Sequence, residues 1–226
     1  MSRYRTTQES FLKDVARHQI AILRDDGVYR HIRFKQPDTS DQYFDLITWP
    51  GHLCYTGDMG TYVFTRTNDM FDFFRSSNSL EQLNINPPYW SEKLIAIDGS
   101  SSGGAATEFD HEKFKRIINL YRVTWMRYGK REGRLSKEER RELWEAVDDQ
   151  VLNRMDDYGE TILRDAHEFQ HGDYSFYELF EHSFTRIKNR MIWCCFALTW
   201  GILKYDEYKL QEECKQYQMN EAGAAA

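Results

Sequence analysis

The sharpest chemical pattern in the chain is His167-Glu168-Phe169-Gln170-His171, which matches H-E-x-x-H. On a continuous helix, residues four apart share a face, so both imidazoles could bind zinc while the glutamate activates a water. The surroundings argue against that use. Arg164 and Asp165 precede the string and Asp173 follows it, where zinc proteases of this pattern carry uncharged or apolar neighbours. Gly172 is expected to end the helix at the second histidine, and the glycine and third histidine of the longer metzincin pattern are missing. Glu178, Glu181 or His182 could complete a ligand set, but no spacing singles one out. We read the string as a helix end carrying two surface histidines, and assign no metal, no cofactor and no catalytic residue. A zinc-dependent hydrolase using His167, Glu168 and His171 is kept as an alternative.

Other candidates are weaker. His52 and Cys54, two apart, should share one strand face, with Asp58 nearby, but no third orienting group is identifiable; core or turn roles outweigh nucleophilic catalysis. Ser100-Ser101-Ser102-Gly103-Gly104 lacks the Lys-Ser/Thr of a phosphate-binding loop and reads as linker. Trp193, Phe196, Trp200 and Leu203 follow helical spacing, which normally means core, not a cofactor pocket.

The elements that must position these residues fall into two kinds. Residues 6–18 read as a short amphipathic helix with Phe11, Leu12 and Val15 on one side. Strand patterns then cover 19–24, 28–35, 43–49, 52–56 and 61–66, with Asp25-Asp26-Gly27 as a hairpin turn and Pro50-Gly51 as a stop. That predicts about five antiparallel strands in a meander, the third central. Asn68 or Thr67 is expected to cap a helix through Phe71, Phe73 and Phe74, and Pro87-Pro88 to exclude regular structure. Helical patterns follow over 110–128, 136–157, 159–170 and 176–216, the last with a break; Ser136 and Glu139 form a capping box. The expected fold is α+β: an N-terminal antiparallel sheet of about five strands with a flanking helix, then a C-terminal helical lobe. The expected organisation is a sheet lobe over 1–98, a Gly/Ser-rich linker over 99–108, a helical lobe over 109–217 and a flexible tail over 218–226.

With 226 residues, 41% hydrophobic and 29% charged, the chain suits one domain or two small lobes and is too apolar for disorder. The 14 Phe, 14 Tyr and 6 Trp require an aromatic core or an adhesive surface. Residues 1–18 show no secretion-leader pattern. The longest apolar stretch, Met191 to Leu203, falls short of the roughly 20 residues a membrane span needs. Cys54, Cys194, Cys195 and Cys214 lack zinc-ribbon spacing and read as reduced thiols of a cytoplasmic protein.

Charge is segregated. Residues 111–134 carry Lys113, Lys115, Arg116, Arg122, Arg127, Lys130, Arg131 and Arg134 against only Glu112 and Glu132, whereas residues 136–173 are strongly acidic. One reading is that neighbouring helices pair charge against charge on solvated faces. The functional reading is that one block faces a partner: Asp148, Asp149, Asp156, Asp157 and Glu160 form an acidic face suited to a basic nucleic-acid channel on another protein. The basic block over 113–134 could instead hold a phosphate backbone, although the net charge of −6 and the lack of a reader motif disfavour direct nucleic-acid binding.

The run from Tyr43 through Trp49-Pro50-Gly51-His52-Leu53-Cys54-Tyr55-Thr56-Gly57-Asp58-Met59-Gly60 to Phe64 resembles a widespread family of bacteriophage and prophage proteins. Asp69 to Arg75, Asn86 to Trp90 and Trp193-Cys194-Cys195 fit the same resemblance. The family carries no assigned activity, so no residue role transfers. What the resemblance implies is a phage accessory protein acting in the bacterial cytoplasm by protein–protein binding. Its expected target is a host protein or a defence ribonucleoprotein complex of CRISPR type, which it would inhibit. On this reading the chain is not an enzyme and has no membrane partner. Tyr55, Tyr62 and Trp90 are a second expected contact surface, as aromatics exposed on the sheet.

Overall fold

The computed structural model describes residues 5–75, 79–98, 105–153 and 159–224. In chain order the elements are α1 (Gln8–Asp14), β1 (Gln19–Asp26), β2 (Tyr29–Lys35), β3 (Phe44–Trp49), β4 (His52–Gly57), β5 (Gly60–Thr65), α2 (Met70–Phe74), α3 (Pro87–Ser91) and β6 (Leu94–Ile97). There follow β7 (Thr107–Phe109), α4 (His111–Arg131), α5 (Lys137–Val147), a π-helical turn (Asp148–Leu152) and α6 (Gly159–Glu168). The chain closes with β8 (Gln170–His171), β9 (Tyr174–Ser175), a 3-10 turn (Leu179–Glu181), β10 (Thr185–Ile187) and α7 (Asn189–Ala224). They form two compact units, Met1–Ala106 with Ile187–Ala226, and Thr107–Arg186.

The first unit is built on a six-stranded antiparallel meander in the order β1-β2-β3-β4-β5-β6. Two-residue alternation decides which side is buried. Register aligns Ile22, Ile32, Leu46, Tyr55, Tyr62 and Ile97 in one row across all six strands, on the inner face. Phe34, Phe44 and Phe64 extend that face, and α7 lies on it. Between Met191 and Leu203 this helix is apolar on nearly every side, so it needs cover all round, and the ring-rich sheet supplies it. Trp200 meets Phe34 edge-on at 5.4 Å between centroids, and Trp193 meets Phe11 of α1 at 5.0 Å. Gly201 marks the closest approach: a Cβ there would stand 2.9 Å from Leu46 Cδ1 and 3.1 Å from Phe34.

The predicted α+β class and its order hold: an N-terminal antiparallel sheet with a flanking helix, then a helical region. Several boundaries differ. The sheet gains a sixth strand, β6, whose four residues are too few to show alternation. Pro87 and Pro88 open α3 instead of excluding it, since first-turn amides lack helical partners anyway, and Asn86 accepts the Tyr89 amide. Asp69, not Asn68 or Thr67, caps α2 through the Phe71 amide. The helix expected over 176–216 begins only at Asn189, because Phe176, Leu179 and Phe184 are held in the core of the second unit. That helix continues to Ala224, through residues read as tail. The units also divide the chain differently from lobes ending at 98 and starting at 109, since α7 belongs with the sheet. Of the Gly/Ser-rich segment, residues 99–104 lie outside the described residues.

In the second unit, Phe114 and Ile118 of α4 pack with Leu143 and Val147 of α5, Ile162 and Ala166 of α6, and Phe169 and Phe176. Asp110 caps α4, and the Ser136–Glu139 capping box opens α5 as its spacing requires. β7 pairs with β10, and β8 with β9.

Candidate interaction surface

On α4 the buried positions Phe114, Ile118, Arg122 and Gly129 define the inward stripe. Opposite it, Arg116, Leu120, Thr124, Arg127 and Arg131 recur at three- and four-residue steps, a single line along the helix. Tyr128 and Lys130 flank that line and are exposed, and Lys115 is exposed on the side of Arg122. Leu120 is 59% and Tyr128 56% exposed. Among the described residues, Lys115, Arg116, Arg127, Lys130 and Arg131 make no ion pair. The outer face of α4 is therefore a stripe of unpaired cations with two large apolar side chains set among them.

One member of the basic block does the opposite. Arg122 is buried at 7% exposure, stacks over Trp144 of α5 at 3.6 Å, and donates from Nη1 to Asp148 Oδ1 at 2.6 Å. Basic and acidic blocks thus pair internally at this point. Asp148, expected on a partner-facing acidic surface, is the counter-ion of a buried guanidinium. Asp149 is exposed and accepts from Asn153 Nδ2 at 3.4 Å. Asp156, Asp157 and the side chain of Glu160 lie outside the described residues. Arg134 pairs with Glu132, and Arg141 with Glu145.

The H-E-x-x-H string is divided between elements. α6 ends at Glu168, and His171 sits in β8, whose pairing with β9 turns at Gly172. The two histidines therefore do not share a helical face, and the spacing argument for zinc loses its geometry. Among the described residues no group of three or more His, Cys, Asp or Glu side chains is placed to hold a metal ion. No helix among them is long and apolar enough to cross a membrane.

Tyr55, Tyr62 and Trp90, expected as exposed rings, are buried instead. Tyr55 and Tyr62 face each other in register on the inner side of the sheet, and Trp90 packs edge-on against Phe74 at 4.9 Å. The rings that do face solvent include Tyr128, Tyr177 and Phe180 of the second unit.

The outer face of the sheet carries a cluster that sequence reasoning missed. Asp45 of central strand β3, only 3% exposed, accepts two bonds from Arg33 and one from His31 Nε2, all at 2.8 Å. Burial alone would raise its pKa, but Arg33 and His31 overcome that and hold the carboxyl below its ordinary value. Arg33 stands directly across from Asp45 in register, so the signal was present but needed the strand pairing to be read. On the same face the His52 ring stacks on Trp49 at 5.0 Å and its Nδ1 bonds the Pro50 carbonyl, which commits it to the turn and away from Cys54. Burial and the nearby Asp45 push the Cys54 thiol up, away from the thiolate a nucleophile requires. Asp58 accepts the Gln42 amide, a loop-closing role. Cys194 and Cys195 lie in the core, where burial pushes both thiols up.

No protein-family model, no curated protein and no solved structure matches the chain.

Proposed function

We propose that this protein works by binding, as a phage-encoded accessory protein whose second unit docks on a protein of a bacterial antiviral defence complex and inhibits it. The observation that carries the binding surface is the outer face of α4, where Leu120 and Tyr128 stand exposed among four cations, Arg116, Arg127, Lys130 and Arg131, that no described acid neutralises. Exposed large apolar side chains ringed by charge suit a protein contact: the rings and aliphatic groups supply the desolvated centre, and the cations steer an acidic partner. The phage context comes from the resemblance of the central strands. The described acids at 148 and 149 already have partners within the unit, which moves the favoured contact from the acidic face to α4.

Phage plating on a host that carries a CRISPR defence tests the reading. Wild-type protein restores plaques, whereas Leu120→Asp combined with Tyr128→Ala should lower plating at least about tenfold, the scale of one lost contact residue. Undiminished plating by that variant counts against α4.

The same cations favour a second reading, in which α4 lies along a phosphate backbone. Leu120 gains nothing in such a contact, which places this reading second. Fluorescence anisotropy with a labelled single-stranded RNA separates the two. Binding that weakens steeply with salt, and disappears when Arg127 and Arg131 become Glu, would favour nucleic acid.

A further inference from the structure

Between α6 and the segment ending in β10, the second unit holds a pocket of about 470 Å³, within the range of small-molecule sites. Its wall is apolar: Phe109, Leu163, Leu179 and Phe184. Its polar lining is Arg164, His167, His182 and Thr185, whose hydroxyl already pairs with that of Ser183 at 3.0 Å, and no carboxylate among the described residues lines the pocket. Arg164 reaches its one described acid, Asp165, only at 3.8 Å. Neither the His167 ring nor the His182 ring makes a hydrogen bond or ion pair with any described residue. A neutral imidazole carries one N–H donor and one acceptor nitrogen in either tautomer, so the site offers donors from three side chains, a guanidinium and two rings.

The wall is held in place by backbone. The Asp110 amide donates to the Phe184 carbonyl at 2.7 Å, β7 pairs with β10, and Gly159 lies so close that a Cβ there would be 2.4 Å from the Phe109 ring. Phe180, 78% exposed, stands at the mouth. Donors from three side chains, one of them a guanidinium, beside an apolar wall suit an occupant with an anionic head and an apolar body.

We propose that this pocket binds a small amphipathic carboxylate, with its acid at Arg164, His167 and His182 and its apolar body against Phe109, Leu163, Leu179 and Phe184. The site absorbs the histidine of the H-E-x-x-H string as a ligand donor, with no metal. α4 lends it no residue, so the proposal stands or falls apart from the docking surface.

The test is calorimetric titration of the full chain with decanoate below its micelle concentration, with decylamine as the charge-reversed control. Saturable one-to-one binding of decanoate is expected, with none of decylamine. Arg164→Glu, on a largely exposed side chain, should keep the melting temperature and weaken decanoate at least about tenfold, the range of a lost charge-assisted contact. Leu163→Trp, which fills the pocket, should abolish it. No saturable decanoate binding, equal binding of decylamine, or unchanged affinity in folded Arg164→Glu would each overturn the proposal.

Discussion

Arg30 occupies the apolar side of the sheet, 4.6 Å over the Phe71 ring and 5.7 Å from that of Tyr205. A cation is tolerated there because Asp69 meets it with two parallel bonds, at 2.9 and 2.8 Å, while also capping α2. Asp69→Ala should therefore cost about 3–5 kcal/mol, the range for leaving a buried charge unpaired, read from the denaturant midpoint. Acid should act through the same groups. Burial would raise the Asp69 carboxyl, but Arg30 and the Phe71 amide hold it below its ordinary 3.8, and Asp45 is lowered likewise by Arg33 and His31. A depressed folded pKa gives stability that is complete above the unfolded value and lost as pH falls through the folded one. Unfolding free energy should thus fall progressively below pH 3.8, and less steeply in Asp69→Asn, as measured by urea melts across that range. These pairings were not legible beforehand. Arg30 and Asp69 are 39 residues apart, and only the fold brings them together.

In the first unit α7 packs tightly against β2 and β3 at Gly201. Gly201→Val should destabilise by about 1–3 kcal/mol through overpacking against Leu46 and Phe34, seen as a lower melting temperature with altered tryptophan fluorescence from Trp200. At the other end of the scale, Ser136→Ala removes the box that opens α5 and should cost about 1 kcal/mol. Elements whose cause is local were readable from the chain. The hairpin after β1 needs a positive φ, and Gly27 supplies +59°, although the turn is Gly27-Val28 and Asp25 and Asp26 stay paired in β1; the Ser136 box needs only four residues. Elements whose cause is tertiary were not. Residues 176–188 have a helical composition, yet Phe176, Leu179 and Phe184 are claimed by the second unit's core and the chain forms only a 3-10 turn and the short strand β10. α7 could be read as a buried helix from its apolar run, but not that the sheet would be what buries it.

Across the whole molecule the charge segregation seen in the chain resolves into two uses. Arg122 and Asp148 join the blocks inside the second unit, while the outer line of α4 keeps its cations for something else. The sequence displayed the blocks but not which residues of each were already paired, since that depends on which side of α4 faces Trp144. Substitutions on the outer line should leave folding intact, because Leu120 and Tyr128 are mostly exposed. The most direct measurement is parallel affinity purification from a phage-infected, defence-carrying host, using wild type, Leu120→Asp with Tyr128→Ala, and Asp149→Lys. The account predicts that one defence protein co-purifies with wild type and with Asp149→Lys and is lost from the α4 double variant at unchanged melting temperature. A defence protein retained by the double variant, or lost only on Asp149→Lys, would contradict it.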